Sequence, residues 1–361
     1  MKARLVIYPG LGKTGTTALQ VLLRCSPAEL AALGYEYAGD MLAGDSETIG
    51  SGNADKLARL LGKANPPLAR IEELANLIIP ETGNAIIASE LLSHLDEQQW
   101  QRFAQLDRVA ERRTTVVVAI RNLYPSAWSA YNQDIKRGGY FGEFSDWARS
   151  MFDTSGSMFG QLAAMRSVFG ADEVTVLHFE SSRSNLIETL LTAAEIPLDG
   201  LDLSLAGSTA VPHNRSLTDG ERAVMRAVNR SFGSKYSTAL SDLLLRHTPP
   251  DRPELLLDAE ALDFLDRNFG AQYAQASTDC FGDDQVLGIC SAEIRERFAD
   301  GSLDAHREPP RESTGAALAT LLRKERRNLP NRTIRRFLKG LRKQLRASGR
   351  IDQGHAEEAA T

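Results

Sequence analysis

Arg4-Leu-Val-Ile-Tyr-Pro-Gly-Leu-Gly-Lys-Thr-Gly-Thr-Thr17 decides how the rest of the chain is read. An apolar run, Leu5 to Ile7, enters a turn bearing Gly10, Gly12 and Gly15. Lys13 and the hydroxyls of Thr14, Thr16 and Thr17 follow. Leu19, Leu22 and Leu23 then recur at helical spacing. Strand, glycine-rich loop and helix start, in that order, build an anion cradle. The glycines let backbone N–H groups converge, the helix N-terminus adds partial positive charge, and Lys13 adds a full one. The segment predicts a site for a phosphate or sulfate group.

A nucleoside-triphosphate loop of the Walker type needs a glycine, four residues, and then Gly-Lys-Ser/Thr. Gly12-Lys13-Thr14 supplies its end, but Ile7 stands at the opening position. The later strand Thr115-Val-Val-Val-Ala-Ile120 ends in Arg121 rather than an aspartate. No residue stands out to hold the magnesium that such chemistry uses. A phosphotransferase or nucleotide kinase is therefore the secondary reading.

That later strand opens a second informative segment, Ala119-Ile-Arg-Asn-Leu-Tyr-Pro-Ser-Ala-Trp-Ser-Ala-Tyr131. Arg121 sits at the strand end and Ser129 lies eight residues on, in the next helix. Pro125 falls near the start of that helix, where a missing N–H costs little. A guanidinium is suited to forked contacts with phosphate oxygens, so Arg121 with Ser129 forms a candidate second clamp.

Lys13-Thr-Gly-Thr-Thr17 followed by Arg121 and Ser129 resembles the cofactor site of the sulfotransferases that use 3′-phosphoadenylyl sulfate (PAPS). The chain looks most like their bacterial glycan-type branch, where Ser-x-Tyr-x-Gln-x-x-Lys is common. Here that run reads Ser129-Ala-Tyr-Asn-Gln-Asp-Ile-Lys136. The resemblance runs in order over about residues 4 to 275. It implies a P-loop-like sulfotransferase fold, PAPS as co-substrate with no metal, and transfer of a sulfuryl group to a hydroxyl or amine of a glycan or glycolipid. By the same resemblance, Gly12, Lys13, Thr14, Gly15, Thr16 and Thr17 hold the 5′-phosphosulfate, with Lys13 neutralising the leaving oxygen. Arg121 and Ser129 hold the 3′-phosphate. Asn214 and Ser216, in the Asn-x-Ser-Leu run His213-Asn-Arg-Ser-Leu217, close over the cofactor; in the other reading the run is structural, with Ser216 or Thr218 and Glu221 capping the following helix. Thr16 and Thr17 are also candidates to cap theirs.

An acceptor hydroxyl needs a base within hydrogen-bond reach. The strand Asn84-Ala-Ile-Ile-Ala-Ser89 delivers Glu90 to the sheet edge, and glycan-type relatives often read Ser-Ser-Glu there. Glu90 is the first candidate base; its other reading is a structural carboxylate paired with Arg121 or with a helix N-terminus. His94 is the second candidate, and Glu36 with Asp40 the third. Many bacterial relatives carry a histidine pair in the segment filled here by Ser51-Gly-Asn-Ala-Asp-Lys56. Lys136 and Arg137 read as solvated charge or as contacts to the acceptor, and Glu180 as structural.

The 361 residues are 42% hydrophobic and 25% charged, as a globular chain of this length should be. Candidate strands Leu5–Tyr8, Ala85–Ser89, Thr115–Ile120 and Val174–Phe179 alternate with helical patterns. That alternation predicts an α/β fold, a parallel sheet flanked by helices. A net charge of -5 argues against a nucleic-acid partner. No secretory signal or membrane-length apolar run is visible, and the cysteines Cys25, Cys280 and Cys290 give no metal spacing. A cytoplasmic setting is expected. Residues 1–305 read as the catalytic domain. Residues 306–361 read as a polar, proline-bearing linker, a basic amphipathic helix and an acidic tail. Within 323–350, Ile334, Phe337, Leu338, Leu341 and Leu345 recur at helical spacing opposite six cations. The stripe either packs on the core, meets an anionic membrane or glycan, or forms an oligomer contact; a non-catalytic relative that keeps the fold and binds a membrane or polyanion through this helix is the third functional reading.

Overall fold

The computed structural model describes residues 2–11, 14–39, 52–151, 158–207, 215–247, 255, 257–283, 286–300, 311–322 and 332–351. Its strands are β1 (Arg4–Pro9), β2 (Tyr35–Glu36), β3 (Asn84–Ser89), β4 (Arg113–Ile120) and β5 (Val174–His178). The helices used below are, in chain order, α1 (Thr16–Cys25), α2 (Glu97–Ala104), α3 (Leu123–Gln133), α4 (Met158–Phe169), α5 (Leu186–Ala193), α6 (Asp219–Phe232), α7 (Arg311–Leu322) and α8 (Arg332–Ala347). The chain divides into two compact units. One comprises Met1–Asn122, Asp153–Thr209 and Gln272–Gly288; the other comprises Leu123–Phe152, Ala210–Ala271 and Ile289–Thr361.

The first unit holds a five-stranded sheet in the order β2-β3-β1-β4-β5, every pairing parallel. Val6, Tyr8, Ile86, Ala88, Val117 and Ala119 face one core, shared with Leu19, Leu22 and Leu23 of α1 and Leu190 and Leu191 of α5. The alternate residues Leu5, Ile7, Ala85, Ile87, Val116 and Val118 are equally buried. A sheet buried on both faces is what parallel strands with helical crossovers require, so the expected fold class is the observed one. Tyr8 shows how tightly this core is closed. Its hydroxyl donates to the Leu190 carbonyl at 3.2 Å, and burial raises its pKa far above the ordinary tyrosine value. Trp100 of α2 joins α4 through an edge-on contact with Phe169 at 5.5 Å.

The second unit is helical among its described residues. Trp128 and Tyr131 of α3 pack on Phe144 at 5.1 and 5.2 Å. α6 starts with a full capping box: the Thr218 hydroxyl accepts from the Glu221 N–H at 3.3 Å, and the Glu221 carboxylate accepts from the Thr218 N–H at 3.0 Å. Of the two cap residues the spacing offers, Ser216 and Thr218, the helix uses Thr218. Arg215 grips the same Glu221 with both guanidinium nitrogens at 2.6 and 2.7 Å. In α8, Ile334 and Leu338 are fully buried, so the apolar stripe read from the sequence packs inside this unit.

All three cysteines are free thiols. Among the described residues no helix is long and apolar enough to cross a membrane, and no three His, Cys, Asp or Glu side chains converge as a metal site would need. The boundary drawn from the sequence at 305/306 lies outside the described residues.

Candidate active site

Because all strands run parallel, their carboxyl ends share one edge of the sheet. From that edge the chain leaving β1 travels to β2 on one side, and the chain leaving β4 travels to β5 on the other. Adjacent strands whose connections diverge open a crevice between them, where open α/β sheets bind ligands. Here the diverging pair is β1 and β4, in register at Ile7 and Val116. The glycine–threonine loop leaves β1 at Gly10 and Arg121 directly follows β4, so the start of the loop and Arg121 stand at the carboxyl ends of this diverging pair.

The loop is built for close backbone approach. The Gly10 N–H donates to the Ser89 carbonyl at 3.3 Å, tying the loop to the end of β3. A Cβ at Gly10 would lie 2.8 Å from the Thr16 methyl and 3.2 Å from Glu90 Cγ, so only glycine fits. The Thr14 hydroxyl donates to the Leu11 carbonyl at 2.9 Å, which closes the turn and occupies that side chain. Gly15, at φ 76° and ψ 10°, is the N-cap of α1, with no side-chain cap and no acidic residue in the first turn. Neither Thr16 nor Thr17 is the cap, because the left-handed turn at Gly15 sets the helix start one residue earlier. A first turn without side-chain cap or carboxylate of its own offers N–H groups to an anion. Gly12 and Lys13 lie outside the described residues.

Glu90 follows β3 directly and opens a short 3-10 turn, Glu90–His94. The Ser89 hydroxyl caps that turn by accepting from the Leu91 N–H at 3.1 Å, which holds Glu90 at the edge. The Thr16 hydroxyl donates to Glu90 Oε1 at 3.4 Å. Of the two partners that the structural reading of Glu90 offered, the described contacts give the helix N-terminus rather than Arg121: the carboxylate stands at the first turn of α1, where the helix dipole favours negative charge. His94 is exposed at the far end of the same turn.

Arg121 is half-buried and takes Glu180. Its Nε donates to Glu180 Oε1 at 3.2 Å, and its guanidinium carbon lies 4.9 Å from the centre of the Phe179 ring. The other oxygen, Glu180 Oε2, accepts from the Asn122 N–H at 3.2 Å and lies 3.1 Å from His178 Nε2. Burial works to raise the Glu180 pKa. The nearby His178 ring, the Asn122 hydrogen bond and the Arg121 charge outweigh it and hold the carboxyl below its usual range. Burial, joined by the nearby Arg183 charge, lowers the Arg121 pKa despite Glu180, yet a guanidinium stays protonated through such shifts. The pairing went unread in the sequence, although Glu180 was read as structural. Its only local signal is that β5, like β4, delivers a charged residue just beyond its last apolar position.

The remaining candidates are scattered. Ser129 is half-buried on α3, in the second unit. Ser216 precedes the α6 cap, its carbonyl accepting from Arg215 Nη1 at 3.1 Å; Asn214 lies outside the described residues, as does Asp40. Glu36 is exposed on the edge strand β2. Lys136 corrects the solvated-charge reading: it is 4% exposed, and its Nζ donates to the Arg215 carbonyl at 3.4 Å. A π-helical turn, Asp134–Gly138, continues α3 and rotates this residue inward. Arg137 pairs with Asp242 at 2.7 Å.

No protein-family model matches the chain, and no curated protein matches it. Among solved structures it is similar to the crystal structure of a sulfotransferase from Alicyclobacillus acidocaldarius. The identity is 16% and the TM-score 0.36, over 56% of this chain and 85% of that one. A likeness of that size decides neither family nor activity, and the chemistry rests on the residues above.

Proposed function

We propose that the chain is a sulfotransferase that moves the sulfuryl group of PAPS to a hydroxyl of a glycan or glycolipid. One observation carries the reading. The glycine–threonine loop and Arg121 end the two adjacent strands whose connections diverge, so an elongated anion with phosphates at both ends meets an N–H cradle on one side and a guanidinium on the other. The residues fit such a donor. The first turn of α1 has neither a side-chain cap nor an acidic residue of its own, so its N–H groups are available to an anion.

The bound donor supplies an activated sulfuryl group and a good leaving group, adenosine 3′,5′-bisphosphate. The chain supplies position and charge. N–H groups at the start of α1 and Lys13 hold the 5′-side and stabilise the charge that develops there. Arg121, oriented by Glu180 and Phe179, holds the far phosphate, so binding energy distant from sulfur fixes the reacting geometry. Glu90 takes the acceptor proton, with the Thr16 hydroxyl fixing the orientation of its carboxylate.

The test couples binding to turnover. The protein is incubated with PAPS and a panel of hydroxylated glycans, and release of adenosine 3′,5′-bisphosphate and sulfated product are both measured. Glu90→Gln should lower kcat by about 10²–10⁴ while leaving stabilisation by the bisphosphate intact. Stabilisation by ATP with magnesium, with none from the bisphosphate, would move the assignment to phosphoryl transfer.

A further inference from the structure

The basic helix α8 presents a row of cations that no carboxylate among the described residues neutralises. Its apolar stripe faces inward: Ile334 and Leu338 are fully buried, Phe337, Leu341 and Leu345 are half-buried, and Phe337 meets Phe232 edge-on at 5.1 Å. At about 100° per residue, Arg335, Arg336, Lys339, Arg342, Lys343 and Arg346 fall within one sector of about 120° beside that stripe. Arg336, Lys339 and Lys343 are exposed and the other three half-buried. Among the described residues, no carboxylate lies within ion-pair distance of any of the six. They neighbour one another instead. Burial and the Arg346 charge lower the Arg342 pKa, and Arg346 Nε is buried without a hydrogen-bond partner. Like charges four residues apart destabilise a helix, and cations near its N-terminus oppose the dipole. A row kept under those penalties fits an anionic partner outside the chain.

Charge distribution selects the partner. Residues 323–350 hold twelve Lys/Arg and one Glu, a net of +11; the whole chain carries -5, so the other 333 residues carry -16. A flat anionic surface attracts the basic segment and repels the net charge of the rest. The row is also straight and convex, about 17 Å from Arg335 to Arg346 along the helix, and matches a plane rather than a groove-bound chain. We infer that this face docks the protein on an anionic phospholipid bilayer by charge alone, with no side chain entering the acyl region.

Co-sedimentation of the full chain with phosphatidylcholine vesicles, with and without phosphatidylglycerol, tests this beside the triple variant Arg336→Glu, Lys339→Glu, Lys343→Glu. The expected result is at least about tenfold stronger binding to the anionic vesicles, lost in the variant. It is also lost at about 1 M salt, where the screening length is near 3 Å. The three side chains are exposed, and a thermal melt checks that the variant folds; if it does not, Lys339→Glu alone and the salt series on the unaltered protein carry the test. Equal binding to both vesicle types, undiminished binding by a folded variant, or salt-resistant binding would overturn the inference. Retention by a sulfated polysaccharide with no vesicle binding would also overturn it and give the face to a polyanionic glycan.

Discussion

Arg121 and Glu180, 59 residues apart in sequence, join the ends of β4 and β5: Nε donates to Oε1 at 3.2 Å, while Oε2 of the same carboxylate accepts the Asn122 N–H. The carboxylate thus orients the guanidinium along one edge. Arg121→Ala should abolish the thermal stabilisation given by adenosine 3′,5′-bisphosphate and spare the smaller one given by adenosine 5′-phosphate, since only the former carries a 3′-phosphate. Melting curves with each ligand at saturating concentration check this. Equal loss with both would place Arg121 in the scaffold rather than at a phosphate.

Glu180→Gln should cost about 1–3 kcal/mol of stability, because it removes the charge that Arg121 and the Asn122 N–H are arranged around. The sign of its pH dependence follows from the lowered pKa. The folded carboxyl lies below its ordinary value of 4.5, so its contribution is full above that value and is lost as the pH falls through the folded pKa. The stability difference between the parent and Glu180→Gln should therefore be constant near neutrality and shrink only below about pH 4.5. Urea titrations at stepped pH measure it; a difference growing toward acid would refute the assignment.

Gly15→Ala places a side chain at φ 76° with its Cβ 2.5 Å from Leu186 Cδ2. The expected loss is about 1–3 kcal/mol from the left-handed backbone and the displaced leucine. Because Gly15 sets the start of α1, bisphosphate binding should weaken as well. Equilibrium denaturation and ligand titration of the same variant separate the two effects.

Glu221→Ala should be the most damaging of these changes, at about 3–5 kcal/mol. It leaves the Arg215 charge, on a side chain 15% exposed, with backbone carbonyls but no carboxylate, and removes half of the α6 capping box. Glu221→Gln keeps an acceptor for the Thr218 N–H and should lose less. A denaturant midpoint for each variant gives the order; equal losses would show that the charge contributes nothing there.

Several particulars were legible before folding is considered. The runs Leu5–Tyr8, Ala85–Ser89, Thr115–Ile120 and Val174–Phe179 match four of the five strands to within about two residues at either end. The three inner strands are readable because a strand buried on both faces is a near-continuous apolar run; β5, at the sheet edge and largely half-buried, shows through its alternating Val174, Val176 and His178 opposite Thr175 and Leu177. β2 is not legible: two residues, Tyr35 and Glu36, carry no periodicity, and they pair only because β3 lies beside them. Lys136 misleads for a similar reason. Charge next to Arg137 looks solvated, and only the π turn and the Arg215 carbonyl explain its burial.

By itself the amino-acid order determined a parallel α/β sheet and a glycine entry into α1, because apolar runs and left-handed glycine turns are consequences of neighbouring residues. It also determined a positive pole near the C-terminus of an otherwise acidic chain. Only the tertiary structure decided which partner each charged or hydroxylated side chain takes. Arg121 went to Glu180 and Thr16 to Glu90, across 59 and 74 residues of sequence. Such choices depend on which strand ends the crossovers place side by side, and no local spacing encodes that.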